Sequence, residues 1–425
     1  MYPNFFPLPE MALYYQDLAS AALRNAGQQT RLAAASQVPP SFCLNGKSIA
    51  IAVGSRRIDR LDTVVSELVA FFREKGAKPF IVPAMGSHGG ACAEGQTRVL
   101  ASLGITGQGL GVPVCADMNT RRIDRTDDGL PLYFSAAALD ADWIVPVNRI
   151  KPHTKFSAVI ESGLCKMLVI GLGLEAGAAA CHRFAVSRGF SFIETAAAVV
   201  LKKLPILFGL ALTENGCGKL YTIEALAPET LIHREKQLLA RARSMMGTIP
   251  FDCLDILVVD QIGKEISGIG MDSNITGRHR DIAGDFSAPP CPGRIFVRDL
   301  TRDSDGNANG IGLADVTTAR LVKRMDREKT AVNAVAAISP EKAAIPVYFD
   351  TDWQCMQVCI HTAGIENGSD ARIVRIRDTT SLQYMEISRS LQPAANEKGG
   401  LKQVSSWRPW DFDANGNLFD FYPGN

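Results

Sequence analysis

The chain has 425 residues, more than one hydrophobic core usually supports, so two domains are expected. Hydrophobic residues make up 46% and charged residues 21% of the chain, values typical of globular proteins, which excludes a disordered chain. The 45 basic residues nearly balance 44 acidic residues, for a formal charge of +1, and no long basic run occurs. Nucleic acid and anionic membranes are therefore poor candidates as partners.

Three further features predict a soluble, cytoplasmic protein. The first fifteen residues lack a basic segment followed by an apolar run, so they do not predict a signal peptide. The apolar residues 196–212 include Lys202, Lys203 and Pro205, which favours a buried helix or strand over a membrane span. The ten cysteines form no CxxC pair, as expected for reduced thiols rather than a disulfide framework.

The first predicted elements form a strand–helix–strand unit. Residues 48–53 (SIAIAV) predict a strand that ends at Gly54, and residues 61–75 carry apolar side chains at helical spacing. Residues 79–83 (PFIVP) predict a second strand that stops at the glycine-rich loop AMGSHGG. Ligands bind at the carboxyl ends of strands in open parallel sheets, so this loop is a candidate binding loop.

The same pattern recurs further along the chain. Residues 94–103 predict a helix, and residues 143–147 (WIVPV) predict a buried strand that leads directly into NRIKPHTKF. Residues 162–177 (SGLCKMLVIGLGLEAG) contain too many glycines for an ordinary helix throughout. These features predict an α/β fold in which two polar loops leave the ends of strands.

A second α/β domain is predicted after residue 248. A predicted helix over 233–246 is followed by a predicted strand over 253–259 (CLDILVV), and a new α/β pattern begins there. We therefore divide the chain into domains 1–248 and 249–425. The second domain also contains GIGMDSNITGR (268–278), a predicted strand over 295–297, a predicted helix from Asp315 to about Arg327, and a packed tail that includes Trp407 and Trp410 and ends in a turn at DANGN.

Histidines in the predicted loops carry the main chemical signal. His88 lies in MGSHGG, where flanking glycines leave the imidazole accessible, and His153 follows Pro152 in RIKPHT. Two imidazoles that face one cleft suit proton or hydride shuttling near pH 7. Alternatively, each histidine is a loop residue whose hydrogen bonds are satisfied, or an isolated metal ligand. His182, in GAAACHRF, would need further donors, such as those of a cofactor, to hold nickel.

Basic side chains near these loops add candidate functional groups. Lys166 lies in the apolar SGLCKML, where desolvation would make its amine nucleophilic, although it also fits an outward-pointing side chain or a pair with Glu161. Arg56 and Arg57 follow the first strand, where a guanidinium can bind a carboxylate or phosphate. A solvated surface pair is the alternative. Lys151 extends this basic face, which suits small anionic ligands.

Three segments resemble the amino-terminal domain of the nickel-pincer lactate racemase family: MGSHGGACAEGQ, VNRIKPHTKF and SGLCKMLVIGLG. The resemblance implies two α/β domains with the active site in the cleft between them. It also implies a nickel-pincer nucleotide (pyridinium-3-thioamide-5-thiocarboxylic acid mononucleotide) joined to a lysine, and cofactor-maturation proteins as partners. The implied reaction is racemisation or epimerisation of a 2-hydroxy acid by hydride transfer to the cofactor.

The resemblance assigns roles by position. His88 and His153 resemble the two catalytic histidines, Lys166 resembles the tethering lysine, and His182 resembles the histidine that binds nickel. Either Arg56 or its neighbour Arg57 resembles a family arginine near cofactor and substrate.

The sequence departs from the family at informative positions. The acidic residue before the arginine is replaced by Val53 or Gly54, and the glycine-rich run before the tethering lysine is altered, with Glu161 and Cys165 nearby. The family's substrate-binding lysine in the second domain is missing, and the corresponding stretch is MDSNITGR.

These departures change the expected substrate more than the expected cofactor. We predict that Lys151, Asp272, Asn274, Thr276 and Arg278 line the substrate side, although a turn stabilised by Asn and Asp side chains fits MDSNITGR as well. A small carboxylate that is a 2-hydroxy acid or sugar acid other than lactate is expected.

Two other functions stay open from the sequence. One is a lyase on the same scaffold without the pincer cofactor, in which His88 and His153 act and Lys166 is structural. The other is a non-catalytic protein that binds small carboxylates. Dinucleotide binding through GLGLEAG is a weak match, because the third glycine does not fit GxGxxG. Homo-oligomer formation also stays open.

Overall fold

A computed structural model describes residues 5–18, 21–281 and 289–422 and confirms the predicted α/β fold class. In chain order the strands are β1 (Met11–Gln16), β2 (Ser48–Val53), β3 (Lys78–Pro83), β4 (Thr120–Arg125), β5 (Pro131–Ser135), β6 (Trp143–Arg149), β7 (Gly209–Glu214), β8 (Leu220–Leu226), β9 (Cys253–Ile262), β10 (Cys291–Leu300), β11 (Val316–Thr318), β12 (Val347–Phe349), β13 (Ile373–Ile376), β14 (Tyr384–Ser388) and β15 (Leu401–Gln403). The α-helices are α1 (Ala26–Gln37), α2 (Leu61–Glu74), α3 (Ala93–Ser102), α4 (Gly107–Leu110), α5 (Ala136–Leu139), α6 (Leu164–Lys166), α7 (Leu174–Arg188), α8 (Phe192–Lys203), α9 (Pro228–Met245), α10 (Ser273–Thr276), α11 (Ala319–Arg324), α12 (Arg327–Ala336), α13 (Asp352–Thr362) and α14 (Gln392–Glu397).

The chain divides into two compact units, which we call the amino-terminal unit (Ser20–Met246) and the carboxyl-terminal unit (Met1–Ala19 with Gly247–Asn425). The boundary predicted at residue 249 lies close to this division. The first residues of the chain, however, belong to the carboxyl-terminal unit and not to the amino-terminal domain. The reason is that β1 pairs antiparallel with β14 and β15, which lie more than 350 residues further along the sequence.

The amino-terminal unit is built on a sheet with strand order β3-β2-β6-β7-β8. Strand β2 lies between β3 and β6 and is parallel to both, and β8 closes the sheet antiparallel to β7. Every residue from Ile49 to Val53 is fully buried. A strand covered on both faces needs an uninterrupted apolar run, which explains why SIAIAV does not alternate with polar residues.

Helix α2 covers one face of this sheet. Its buried side chains recur at helical spacing and include Leu61, Val65, Leu68 and Phe72, all part of the unit's hydrophobic core. This packing holds the strands that lead into the candidate loops.

The carboxyl-terminal unit has its own sheet, with strand order β12-β11-β10-β9-β13-β14-β1-β15. The first five strands of that order are parallel, and β14, β1 and β15 are antiparallel to their neighbours. The tail behaves as predicted: Trp410 is buried and donates its indole N–H to Glu386 at 3.2 Å, and Asp413 and Asn417 close the predicted turn.

One predicted helix was partly wrong. The segment from Asp315 to Arg327 begins with the strand β11, because its β-branched residues pair in parallel with β10. Thr318 then ends that strand and caps α11 by accepting the Leu321 N–H at 3.2 Å. The predicted helix is thus a strand, a short helix and the start of α12.

No single helix in the described part of the chain is long and apolar enough to cross a membrane. The consecutive helical segments Leu164–Gly171 and Leu174–Arg188 pass that test only as a pair, by length and composition, and are bent by 105°.

Candidate active site

The topology of the amino-terminal sheet places the predicted loops side by side. From β2 the chain moves to β3 on one side, and it later returns to β6 on the other side of β2. Connections that leave neighbouring strand ends in opposite directions open a crevice between those strands. Arg56 follows β2 and His153 follows β6, so both lie at the carboxyl ends that flank this switch point.

His88 lies in the loop after β3 and contacts the loop after β2. Its Nδ1 is 2.5 Å from Ser55 Oγ. The loop folds tightly, because Gly89 has a φ of +69° and a Cβ there would lie 2.6 Å from the Gln96 nitrogen. Glycine at position 89 is therefore required for the turn that presents the imidazole.

The segment that carries Lys166 is an irregular helix, as its glycines predicted. Helix α6 continues as a π-helical turn over Met167–Gly171 before α7 begins. The turn packs against the His88 loop: the Gly86 N–H donates to the Gly171 carbonyl at 3.0 Å, and a Cβ at Gly171 would lie 2.6 Å from the Ala84 oxygen. π-Helical turns occur frequently at functional sites.

His153 contacts Lys166 directly. The His153 Nε2 and the Lys166 Nζ are 2.5 Å apart, and His153 Nδ1 accepts the backbone N–H of Lys155 at 3.0 Å. The imidazole also stacks on Phe156, with ring centres 4.3 Å apart. Two hydrogen bonds and one stacking contact thus hold the orientation of the imidazole.

The electrostatics around Lys166 favour its uncharged form. Desolvation, followed by the positive charges of Arg56 and Lys155, lowers the pKa of Lys166 to about 7, against the opposing effect of Glu161. Desolvation and Arg149 also lower the pKa of Arg56 to about 10, although the residue is exposed. Within residues 5–18, 21–281 and 289–422, no carboxylate pairs with Arg56, so this guanidinium is a candidate for binding an anion.

Glu161 is a support for the His153 loop. Its buried carboxylate accepts the Ala158 N–H at 2.8 Å and the N–H of His153, and it forms an ion pair with Arg243. Lys166 therefore contacts His153, and Glu161 pairs with Arg243, so the alternative of a Lys166–Glu161 pair is wrong.

Glu235 caps the short helix that carries Lys166. This fully buried residue of α9 accepts the N–H groups of Leu164 and Cys165 at 2.9 and 3.0 Å. A Cβ at Gly163 would lie 2.2 Å from its other oxygen, so glycine is needed there. Burial raises the pKa of Glu235 from its ordinary 4.5 to about 7, against the hydrogen bonds from Cys165 and Leu164.

The raised pKa of Glu235 predicts a pH dependence of stability. Between about pH 4.5 and 7 the folded protein holds a proton that the unfolded chain has released. The contribution of this group is therefore fully present below about pH 4.5 and is lost as the pH rises through about 7. At roughly 1.36 kcal/mol for each pKa unit, the loss is about 3 kcal/mol.

Glu235→Gln should remove this dependence. Urea unfolding at a series of pH values should give a free-energy difference, wild type minus variant, that falls by about 3 kcal/mol from acid to alkaline pH. Glu229→Gln, which replaces an exposed residue at the start of the same helix, is the matched control and should run parallel to the wild type. Parallel curves for Glu235→Gln would contradict the assignment.

A chain of aromatic contacts connects His182 to His153. His182 on α7 lies edge-on to Phe190 at 6.2 Å, Phe190 stacks on Phe156 at 4.2 Å, and Phe156 stacks on His153. No group of three or more His, Cys, Asp or Glu side chains suited to a metal occurs in the described parts of the chain. A single imidazole fits a metal only where a bound group supplies the other donors.

The cysteines beside these residues are buried. Cys165 and Cys181 are at most 1% exposed, and burial raises the pKa of Cys181 to about 12. Both behave as small apolar side chains, not as thiolate ligands.

Lys151 and Arg57 are two further basic residues predicted in this region. Lys151 is half-buried, and its backbone N–H donates to Ser162 at 3.0 Å, which joins its loop to the segment before Lys166. Arg56 and Arg57 are both exposed. Arg56 is the better candidate of the arginine pair because its charge acts on Lys166.

The substrate residues predicted in the second domain lie in the carboxyl-terminal unit, around α10. Asp272 accepts the N–H of Asn274 at 3.0 Å and its side-chain amide at 2.9 Å, as in the alternative of a stabilised turn. The buried Thr276 lies in the same helix, and Arg278 forms an ion pair with Asp315. Their role toward substrate stays a prediction.

Sequence reasoning missed several residues that contact the predicted site. Ser55, Phe156, Phe190 and Glu235 meet their partners through tertiary contacts 3 to 71 residues away in sequence. Ser55 and Phe156 could have been noticed, since they lie in the same loops as Arg56 and His153.

Comparison with known proteins identifies a structural relative. The lactate racemase apoprotein from Thermoanaerobacterium thermosaccharolyticum superposes with a TM-score of 0.53 and 13% sequence identity, over 85% of this chain and 93% of that chain. No family model matches the sequence, and no curated protein matches it. In its fold, this protein therefore resembles lactate racemase.

Proposed function

We propose that this protein is a racemase or epimerase of a small 2-hydroxy acid, which is not necessarily lactate. His88 and His153 act as acid/bases, and Lys166 carries a nickel-pincer nucleotide whose nickel is bound by His182. The fold shared with a lactate racemase supports the proposal. The observation that carries it is the contact of His153 with Lys166, together with the packing of the His88 loop on the turn after Lys166.

The residues present fit such a cofactor. Lys166 offers an amine with a lowered pKa, and His182 offers one imidazole without a cluster of other metal donors among the described residues. When bound, the cofactor supplies the hydride acceptor that is needed because the α-hydrogen beside an ionised carboxylate is only weakly acidic.

The remaining steps fall to side chains of the protein. Arg56 binds and orients the carboxylate of the substrate. Ser55 engages Nδ1 of His88, so Nε2 is the nitrogen through which His88 takes and returns the hydroxyl proton. His153, held by Lys155 and Phe156 in the loop after β6, also exchanges the hydroxyl proton, through its own Nε2. With two imidazoles, the hydroxyl proton can be exchanged whichever enantiomer is bound.

The test is intact mass and metal analysis of protein co-expressed with the cofactor-maturation proteins. A mass adduct on Lys166 together with bound nickel is expected in the wild type, and both should be absent in Lys166→Ala. Lys236→Ala, which removes a surface lysine paired with Glu194, is the matched control and should load like the wild type.

Absence of both adduct and nickel, under conditions that load a known lactate racemase, would overturn the proposal. Turnover of a hydroxy acid without nickel would then favour a pincer-free lyase. Carboxylate binding without turnover would favour a binding protein.

A further inference from the structure

Two hydrogen bonds determine which nitrogen of His153 carries the proton. Nδ1 accepts the backbone N–H of Lys155 at 3.0 Å, so this nitrogen has a lone pair and no proton. A neutral imidazole has one donor and one acceptor nitrogen, so the proton is on Nε2. The imidazolium form is excluded in this arrangement, because it would direct two N–H groups at each other. His153 therefore donates to Lys166 Nζ, 2.5 Å away.

A donor at this distance requires a lone pair on Lys166. An ammonium group has three N–H donors and no acceptor, whereas an uncharged amine has a lone pair. The geometry is therefore that of a neutral lysine that accepts a hydrogen bond from a neutral histidine.

The charges around Lys166 act in the same direction. Arg56, from the loop after β2, and Lys155, from the loop after β6, both oppose a further positive charge. Glu161 favours the ammonium form, but its carboxylate is held by Arg243. Titratable groups on neighbouring elements also include His88, in the loop after β3, and the buried Glu235 of α9, which caps the helix of Lys166. Desolvation, followed by the charges of Arg56 and Lys155, lowers the pKa of Lys166 to about 7 against the opposing effect of Glu161.

We infer that Lys166, before any cofactor is attached, is an uncharged amine positioned by His153 for acylation by an activated carboxyl or thiocarboxyl group. The inference deepens the proposed function, on which it rests for the identity of the group attached. In the step, Nζ attacks the acyl carbon and the C–N bond forms. The bond from that carbon to its leaving group breaks, the leaving group keeps the electron pair, and one Nζ proton passes to water.

Acylation has a consequence for His153. The nitrogen of an amide or thioamide is not a hydrogen-bond acceptor, so the modified Lys166 no longer binds the Nε2 proton of His153. His153 is thus a positioning residue for Lys166 in the unmodified protein. Once Lys166 is acylated, Nε2 of His153 no longer donates to Nζ and can bind a substrate.

The first test measures the reactivity of Lys166 in the wild-type protein without cofactor. Trace labelling with acetic anhydride from about pH 6 to pH 10, followed by peptide mass spectrometry, gives a rate for each lysine. At about pH 7.5, Lys166 should react at least about tenfold faster than the exposed Lys398, because an ordinary lysine with a pKa of about 10.4 is almost fully protonated there. Its rate should level off above about pH 8.

Two results would overturn the inference in this experiment. One is a Lys166 rate equal to or below that of Lys398, and the other is a rate that still rises up to about pH 10. Lys166→Gln identifies the labelled peptide. Since the comparison is made within one folded protein, it does not depend on the stability of a variant.

The second test determines the tautomer of His153. In protein labelled with ¹⁵N-histidine, the resonance assigned by its loss in His153→Gln should show an unprotonated Nδ1 and a protonated Nε2 near pH 7.5. A proton on Nδ1, or an imidazolium, would overturn the inference. The exposed His233 serves as the reference for a solvated ring.

The outcomes separate this inference from the proposed function. A reactive Lys166 in a protein that never acquires nickel would support the inference and overturn the proposed function. A protein that loads nickel but whose unloaded Lys166 reacts like Lys398 would support the function and overturn the inference.

Discussion

Replacing His88 by glutamine is expected to lower the turnover of the loaded protein by a factor of about 10²–10⁴, the usual contribution of a positioned acid/base group. Glutamine is close in size to histidine and its amide can still bond to Ser55, so the loop should keep its shape. An amide cannot exchange a proton near pH 7, so the loss should appear mainly in kcat. The measurement is racemisation of the identified substrate with variant and wild type loaded in parallel.

Nickel content and Lys166 modification provide the internal controls for this variant. Both should be unchanged, because the variant leaves in place the contact of His153 with Lys166 Nζ. His233→Gln, at an exposed position on α9, is the matched control and should keep turnover within about twofold of the wild type. Nearly normal turnover in fully loaded His88→Gln would remove His88 from the mechanism.

Replacing Arg375 by leucine is expected to destabilise the carboxyl-terminal unit by about 3–5 kcal/mol, because it breaks a buried ion-pair network. Arg375 is 1% exposed and binds both oxygens of Asp260, at 2.8 and 2.9 Å, and Glu386 at 2.9 Å. It also donates to the Phe419 carbonyl at 2.7 Å and thereby holds the tail. The variant leaves two buried carboxylates with fewer partners.

Urea unfolding followed by tryptophan fluorescence measures this loss, since Trp353, Trp407 and Trp410 all belong to the carboxyl-terminal unit. Arg372→Leu is the matched control on the same segment. Arg372 pairs with Asp255 but its side chain is 46% exposed, so a change below about 1 kcal/mol is expected. Equal effects of the two substitutions would show that the buried network does not stabilise the unit.

The local parts of the candidate site could be predicted from the sequence because each depends on neighbouring residues. Glycines around His88 indicate an accessible loop, and a lysine among apolar residues indicates a desolvated amine. The orientation of His153 could not be predicted, since it depends on Phe156 stacking and on the approach of Lys166. The Glu235 cap could not be predicted either, because its acceptor and donors are some 70 residues apart.

The sequence by itself determined the α/β class, the main strands and helices of the amino-terminal unit, the loops that hold His88 and His153, and the glycine-rich segment that holds Lys166. Hydrophobic periodicity and glycine placement act over a few residues, so they can be recognised without knowledge of the partner strand. Only the tertiary structure decided that β1 joins the carboxyl-terminal sheet and that β2 lies between β3 and β6. Strand neighbours are selected by packing across long sequence separations, and that selection brings Arg56, His88 and His153 to one edge of one sheet.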